Sequence, residues 1–172
     1  MNPSQTLTVK RNNQTFTVEI SIHPPSDYVQ EHLQELLPNW QNDSVSVIIF
    51  LQQTQMPLTE ISPEVEAEKN ILLDNFIRWS DLVANWLCDR DYPTDAFDPR
   101  TGYPRRCSPG TLSHKDVPAV HAALGYPIEK NGDCATIVHP FWGTAVYPSV
   151  MISAAPVPEI LTALHFTLLD RC

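Results

Sequence analysis

Residues 62–90 carry one long amphipathic stripe, and few architectures of modest size can seat it. Ser62 can cap a helix and Pro63 suits the first helical position. Glu64, Glu66 and Glu68 then place negative charge at the positive end of the helix dipole. Leu72, Phe76, Trp79, Val83 and Trp86 recur at spacings of four and three, and Leu73, Ile77 and Leu87 widen the apolar face. A helix of about 27 residues at 1.5 Å per residue is ~40 Å long. A helix of that length must cross a whole sheet, with Trp79 and Trp86 in the core it covers.

The remaining pattern supplies that sheet. Phe16, Val18, Ile20 and Ile22 alternate with Thr15, Thr17, Glu19 and Ser21, and Leu7 and Val9 alternate with threonines across the polar stretch Arg11-Asn12-Asn13-Gln14. Period two on both sides of a polar turn predicts a β-hairpin. Residues 26–37 have Val29, Leu33, Leu36 and Leu37 at helical spacing before Pro38. Residues 45–51 are almost continuously apolar and β-branched, which predicts a central strand buried on both faces. Residues 91–109 read as loop, 117–124 as a short helix closed by Gly125, and 144–154 as a strand. Pro148 inside that strand demands an edge or a bulge, because proline cannot donate to a ladder. Pro158 opens a last helix. With no internal repeat and no dividing linker, residues 1–172 read as a single α+β domain.

Charge and cysteine usage narrow the partners. Twenty acids against eleven bases give a net charge of −9, which repels phosphate backbones and anionic membrane surfaces. No apolar run reaches the roughly 20 residues of a spanning helix, and residues 1–6 lack the basic and apolar regions of a signal peptide. A cytoplasmic location is expected. Cys88, Cys107, Cys134 and Cys172 form no C-x-x-C pair and match no zinc spacing, so free thiols are expected.

Chemistry-bearing residues concentrate in 124–144. Gly125 and Asn131-Gly132 mark chain reversals, 133–138 reads as a strand, and Pro140 to Thr144 breaks it. Asp133, Cys134, His139 and Trp142 therefore lie within ten residues beside two sharp turns, where binding groups tend to sit. Thiol catalysis would need Cys134 to meet His139, yet residues five apart on a strand face opposite sides unless a bend intervenes. Asp133 would also raise the thiol's pKa. A closed metal site lacks ligands, but a single soft thiolate can still cap a metal held by a cofactor. Phosphate-binding glycine motifs are absent. Arg100, Arg105 and Arg106 form the one local excess of positive charge, suited to a solvated face, an acidic partner or a ligand phosphate.

Several blocks taken in order carry a family resemblance: Glu64-Val65-Glu66-Ala67-Glu68 with Leu72-Leu73-Asp74-Asn75-Phe76-Ile77, then Phe97-Asp98-Pro99 and Gly102, then Leu124-Gly125-Tyr126, and finally Cys134 to His139 with Trp142-Gly143-Thr144. Over about residues 48–156 the chain resembles the methylmalonic aciduria and homocystinuria type D protein family. That resemblance implies a modified nitroreductase-like α+β fold, mostly antiparallel, without flavin. It implies a non-catalytic adaptor in cobalamin (vitamin B12) trafficking that binds the type C cobalamin-processing protein. Such an adaptor helps pass cobalamin towards methionine synthase and methylmalonyl-CoA mutase, in part by offering a cysteine thiolate to cobalt. The family pattern has two adjacent cysteines after the glycine, the first linked to cobalt. Here those positions are Asp133 and Cys134.

Three outcomes stay open at that position. A bulge brings Cys134 round to the metal, Asp133 offers a weaker oxygen contact, or the chain does not ligate cobalt. The expected contacts are Cys134 and Asp133 for cobalamin, Cys134 for its metal, and His139, Trp142, Arg105 and Arg106 for the partner protein. Two rival readings are a flavin-dependent nitroreductase-like oxidoreductase, with the arginines holding the flavin phosphate, and a plain interaction domain with no cofactor.

Overall fold

The computed structural model describes residues 4–169; Cys172 lies outside them. Strands β1 (Ser4–Arg11) and β2 (Gln14–His23) form the expected hairpin, pairing Leu7 with Val18 and Val9 with Phe16. Asn12 and Asn13 both take positive φ, 48° and 62°. That is the two-residue turn whose twist matches the strands it joins, and asparagine tolerates it best after glycine.

The segment read as one helix over 26–37 is instead two short ones, α1 (Asp27–Glu31) and α2 (Leu33–Leu36), split at His32. Ser26 caps the first by accepting from the Val29 amide at 3.3 Å. Val29, Leu33, Leu36 and Leu37 still enter one buried cluster on either side of the break at His32.

Strand β3 (Ser46–Gln53) lies between β2 and β7 (Val146–Ser153), antiparallel to both. Its alternation explains its apolar run. Ile48 and Phe50 enter one core and Val47, Ile49 and Leu51 the other. Helix α3 (Pro63–Cys88) covers the first core; Ser62 caps it, accepting from the Val65 amide at 3.2 Å. Its 26 residues span ~39 Å at 1.5 Å each. Leu72, Phe76, Trp79, Val83 and Leu87 are buried along its stripe. Trp86 departs from expectation: it is half-buried, stacked on Phe166, with the Arg90 guanidinium 3.5 Å from its ring centroid. An aromatic at the end of a long helix runs past the sheet it covers, and a cation over its face replaces part of the lost core contact.

Inside the segment read as loop, β4 (Thr94–Ala96) pairs with the end of β7, so the five-stranded order is β1-β2-β3-β7-β4. This arrangement resolves the Pro148 problem. Strand β7 is internal, but β4 covers only Met151 to Ser153, so the flank of Pro148 facing away from its β3 partner Leu51 lies beyond β4. Helix α4 (Asp116–Leu124) ends at Gly125, whose φ of 72° is the left-handed stop. Strands β5 (Ile128–Asn131) and β6 (Cys134–Ile137) make a separate hairpin. Helix α5 (Val157–Leu164) runs into a π-helical turn, His165–Leu169. The architecture is α+β, with antiparallel pairing throughout both sheets and one long helix. Helices α3 and α5 lie on one face; α1, α2 and α4 lie on the other.

Candidate functional site

The β5–β6 hairpin pairs Asn131 with Cys134 and leaves Gly132 and Asp133 as its two turn residues. Gly132 has φ 62° and Asp133 an ordinary negative φ, the pattern of a turn with glycine at its first central position. The strand therefore begins at Cys134, one residue later than expected. Asp133 belongs to the turn, so strand alternation does not separate it from Cys134, and both are exposed. The Asn131 side-chain amide donates to the Thr59 carbonyl at 2.8 Å, tying the hairpin to the segment that leads into α3.

Asp133 and Cys134 stand on the rim of a cleft of about 770 Å³. It is lined by the start of α3 with Glu66, Lys69, Asn70 and Leu73, by 99–102 and 114–118, and by Tyr147 and Pro148 of β7. The segments 99–102 and 114–118 touch so closely that a Cβ on Gly102 would come 2.2 Å from the His114 carbonyl oxygen. Only glycine fits there, and its φ of 75° adds a second reason.

The charges in this cleft are largely matched in pairs. Arg100 donates to Asp98 through Nε at 3.0 Å and Nη2 at 2.7 Å, which holds the Asp98 carboxyl below the ordinary carboxylate range. Lys69 meets Glu66 at 3.2 Å. Burial pushes the Asp116 carboxyl up, and His114, with Nδ1 at 3.0 Å, partly offsets that. The Tyr147 phenol is pushed up by burial first and by Asp116 and Asp98 next, so it stays protonated.

His139 faces inward and does not meet Cys134. It is 3% exposed, with Nε2 3.0 Å from Glu19 Oε2. Its Nδ1 accepts from the Phe141 and Trp142 amides, both at 3.2 Å, so the proton sits on Nε2 and is donated to Glu19. The ring stacks on Trp142 at 4.0 Å and meets Tyr126 edge-on at 5.4 Å. His139 and Gly143 also exchange backbone bonds of 2.8 and 2.9 Å. This closed turn holds Phe141 at its tip, 90% exposed. Sequence reasoning missed Phe141; a large apolar residue between Pro140 and Trp142 in a turn was the available signal.

The three arginines go to three places. Arg100 pairs with Asp98 at the cleft, Arg105 reaches Asp81 on α3 at 2.5 Å, and Arg106 is exposed. The backbone amides of Arg105 and Arg106 both donate to Asp95.

Cys88, Cys107 and Cys134 are free thiols in different surroundings. The Cys107 sulfur donates to Asp95 at 2.8 Å and accepts from Trp40 Nε1 at 3.2 Å. Burial, then the Asp95 bond, push this thiol up to about 12. Cys134 is exposed. Iodoacetamide at pH 8 should therefore alkylate Cys134 at least about tenfold faster than Cys107, a ratio that peptide mapping of a time course would give. Equal rates would contradict the burial described.

Among the described residues no three His, Cys, Asp or Glu side chains converge to hold a metal ion, and no helix is long and apolar enough to cross a membrane. Cys134 and Asp133 are exposed and offer one sulfur and one carboxylate donor at the surface.

Comparison with known proteins agrees in extent with the segments that build this site. The chain is 29% identical over 150 residues to the human protein named cobalamin trafficking protein CblD, and 27% identical over 150 residues to the chicken protein of that name. In each case the match covers 86% of this chain and 50% of the relative, so the chain spans about half the length of the curated relatives it matches. The family model for methylmalonic aciduria and homocystinuria type D protein matches residues 2–164. That match takes in β2, α3, the cleft and the Gly132–Cys134 tip together, and the chain belongs to the methylmalonic aciduria and homocystinuria type D protein family.

Proposed function

We propose that this chain is a non-catalytic adaptor in intracellular cobalamin metabolism, binding a type C-like cobalamin-processing protein in the cytoplasm and offering one ligand to the cobalt of cobalamin held by that partner. In this reading residues 1–172 act as one α+β unit of nitroreductase-like ancestry without resident flavin. It serves delivery towards methionine synthase or methylmalonyl-CoA mutase. Cobalamin is cargo, shared transiently with the partner.

The observation that carries the reading is the exposed Cys134 sulfur at the base of a two-residue turn, on a hairpin tied to the segment before α3. A soft, polarizable thiolate suits an electron-rich metal better than a carboxylate, so Cys134 rather than Asp133 is the donor. Because Asp133 lies in the turn, no bulge is needed to expose Cys134. Trp142 and the exposed Phe141 and Arg106 offer partner contacts, while His139 holds the turn from inside.

The test is a titration of cobalamin with this protein, with and without the processing partner, followed by absorption. A thiolate-type band should develop for the wild type and for Asp133→Asn, and vanish in Cys134→Ser while partner association persists. A band that survives Cys134→Ser, or that never forms with wild type, removes the reading.

A further inference from the structure

The cobalt of a corrinoid sits at the centre of a ring fringed with acetamide and propionamide arms that project to both faces. A protein donor that reaches the metal axially has to enter between those arms. The arms surrounding Cys134 would then meet whatever borders it, and what borders it is the cleft of about 770 Å³. That volume belongs to the class that holds drug-sized ligands. It suits one edge of a corrinoid.

The lining fits neutral polar groups. Two of its three Lys and Arg side chains are already matched: Arg100 is held by Asp98 through two bonds and Lys69 by Glu66. Lys115 stands exposed on the rim, where pairing with a ligand contributes little. Tyr147 lines the cleft with Asp116, Arg100 and Glu66, and its phenol stays a neutral donor, pushed up by burial first and by the charges of Asp116 and Asp98 next. Asn70, exposed on α3, presents an amide of the same kind as the arms. With Lys69 held by Glu66 and Arg100 by Asp98, the lining leaves Glu60, Asp116 and Asp133 against Lys115, so a carboxylate placed there meets net negative charge.

We propose that the cleft beside Cys134 is a subsite for the neutral carboxamide arms of the corrinoid, with Tyr147 and Asn70 as its hydrogen-bonding groups. This rests on the reading of Cys134 as the cobalt ligand, and it adds a specificity that the sulfur alone cannot supply. Carboxamide arms are accepted and carboxylate arms rejected.

Aquocobalamin and its peripheral monocarboxylic acid derivatives are titrated, with the processing partner present, against wild type, Tyr147→Phe and Asn70→Ala. Each variant removes only surface or cleft polarity, and unchanged thermal midpoints confirm folding. Loss of one hydrogen bond should weaken aquocobalamin about fivefold in Tyr147→Phe, with the thiolate band still forming at saturation. Wild type should bind an acid derivative about tenfold more weakly than aquocobalamin, since a carboxylate gains like-charge neighbours. That ratio should persist in Tyr147→Phe, because a hydroxyl donor serves a carboxylate oxygen at least as well as an amide oxygen. If wild type forms the band and both variants titrate as it does, or amide and acid forms bind alike, the subsite is overturned while Cys134 ligation stands. If wild type forms no band, the cobalt reading falls and takes the subsite with it.

Discussion

Phe76→Ala is expected to destabilise the fold by about 3–5 kcal/mol. Phe76 is 0% exposed at the middle of α3, and its ring meets Phe50 of β3 edge-on at 5.4 Å and 70°. The neighbours cannot close the void. Leu72 and Trp79 pin α3 one turn to either side, and Phe50 is fixed in a strand paired on both flanks. Since small proteins hold only about 5–15 kcal/mol in total, the variant should lose much of its margin. Chemical denaturation with equal slopes for variant and wild type gives the difference. Ile61→Ala, 90% exposed, is the control and should change stability by under about 0.5 kcal/mol. A Phe76→Ala cost as small as that of Ile61→Ala would mean that α3 is not seated on β3 through this ring.

What made α3 legible is that its information is local. Ser62, Pro63 and the early glutamates mark a start, and the stripe from Leu72 to Leu87 keeps one period for about four turns. Strand β3 was legible for a related reason: a strand flanked on both sides and covered on both faces runs apolar without a break from Val47 to Leu51. Where local pattern and tertiary demand part, the sequence misleads. The spacing of Val29, Leu33, Leu36 and Leu37 fits one helix, and nothing in it encodes the bend at His32. Strand β4 is three residues long, too short to show a period, and its Asp95 reads as a loop residue until its partners are seen.

The site divides the same way. Asn131-Gly132 announced the reversal, and the exposure of Asp133 and Cys134 follows from it. The cleft was not legible, because its walls come from 58–73, 99–102, 114–118, 133–136 and 146–148, and no local periodicity joins them. His139 was expected at the partner surface because it lies with Asp133, Cys134 and Trp142 beside two chain reversals. Its burial depends on Glu19, which is 120 residues away in sequence.

The two ends of the loop that brings 99–102 to the cleft meet at one buried carboxylate, and Asp95→Asn should loosen them at a cost of about 3 kcal/mol. Asp95 is 0% exposed. Its Oδ1 accepts from the amides of Ala96 at 2.7 Å, Arg105 at 3.1 Å and Arg106 at 3.0 Å. Its Oδ2 accepts from Arg106 at 3.1 Å, Cys107 at 2.9 Å and the Cys107 thiol at 2.8 Å. An asparagine keeps one acceptor and turns a donor towards donors, so amides that were bonded to a charge lose their partner. The effect reaches Cys107 in a way that pH can read. Its folded pKa is raised from an ordinary 9 to about 12, so between those values the folded state holds a proton that the unfolded state has released. Stability then falls as pH rises through that window, by less than about 1.4 kcal/mol per pH unit. Removing the carboxylate lowers the folded value and flattens that slope. Denaturation midpoints at pH 8, 9 and 10 measure the slope. Alkylation of Cys107 by iodoacetamide, expected to quicken at least about tenfold in the variant, measures the release of the thiol. An Asp95→Asn protein with wild-type slope and a Cys107 still slow to alkylate would show that the segment from Ala96 to Cys107 is held by something other than this carboxylate.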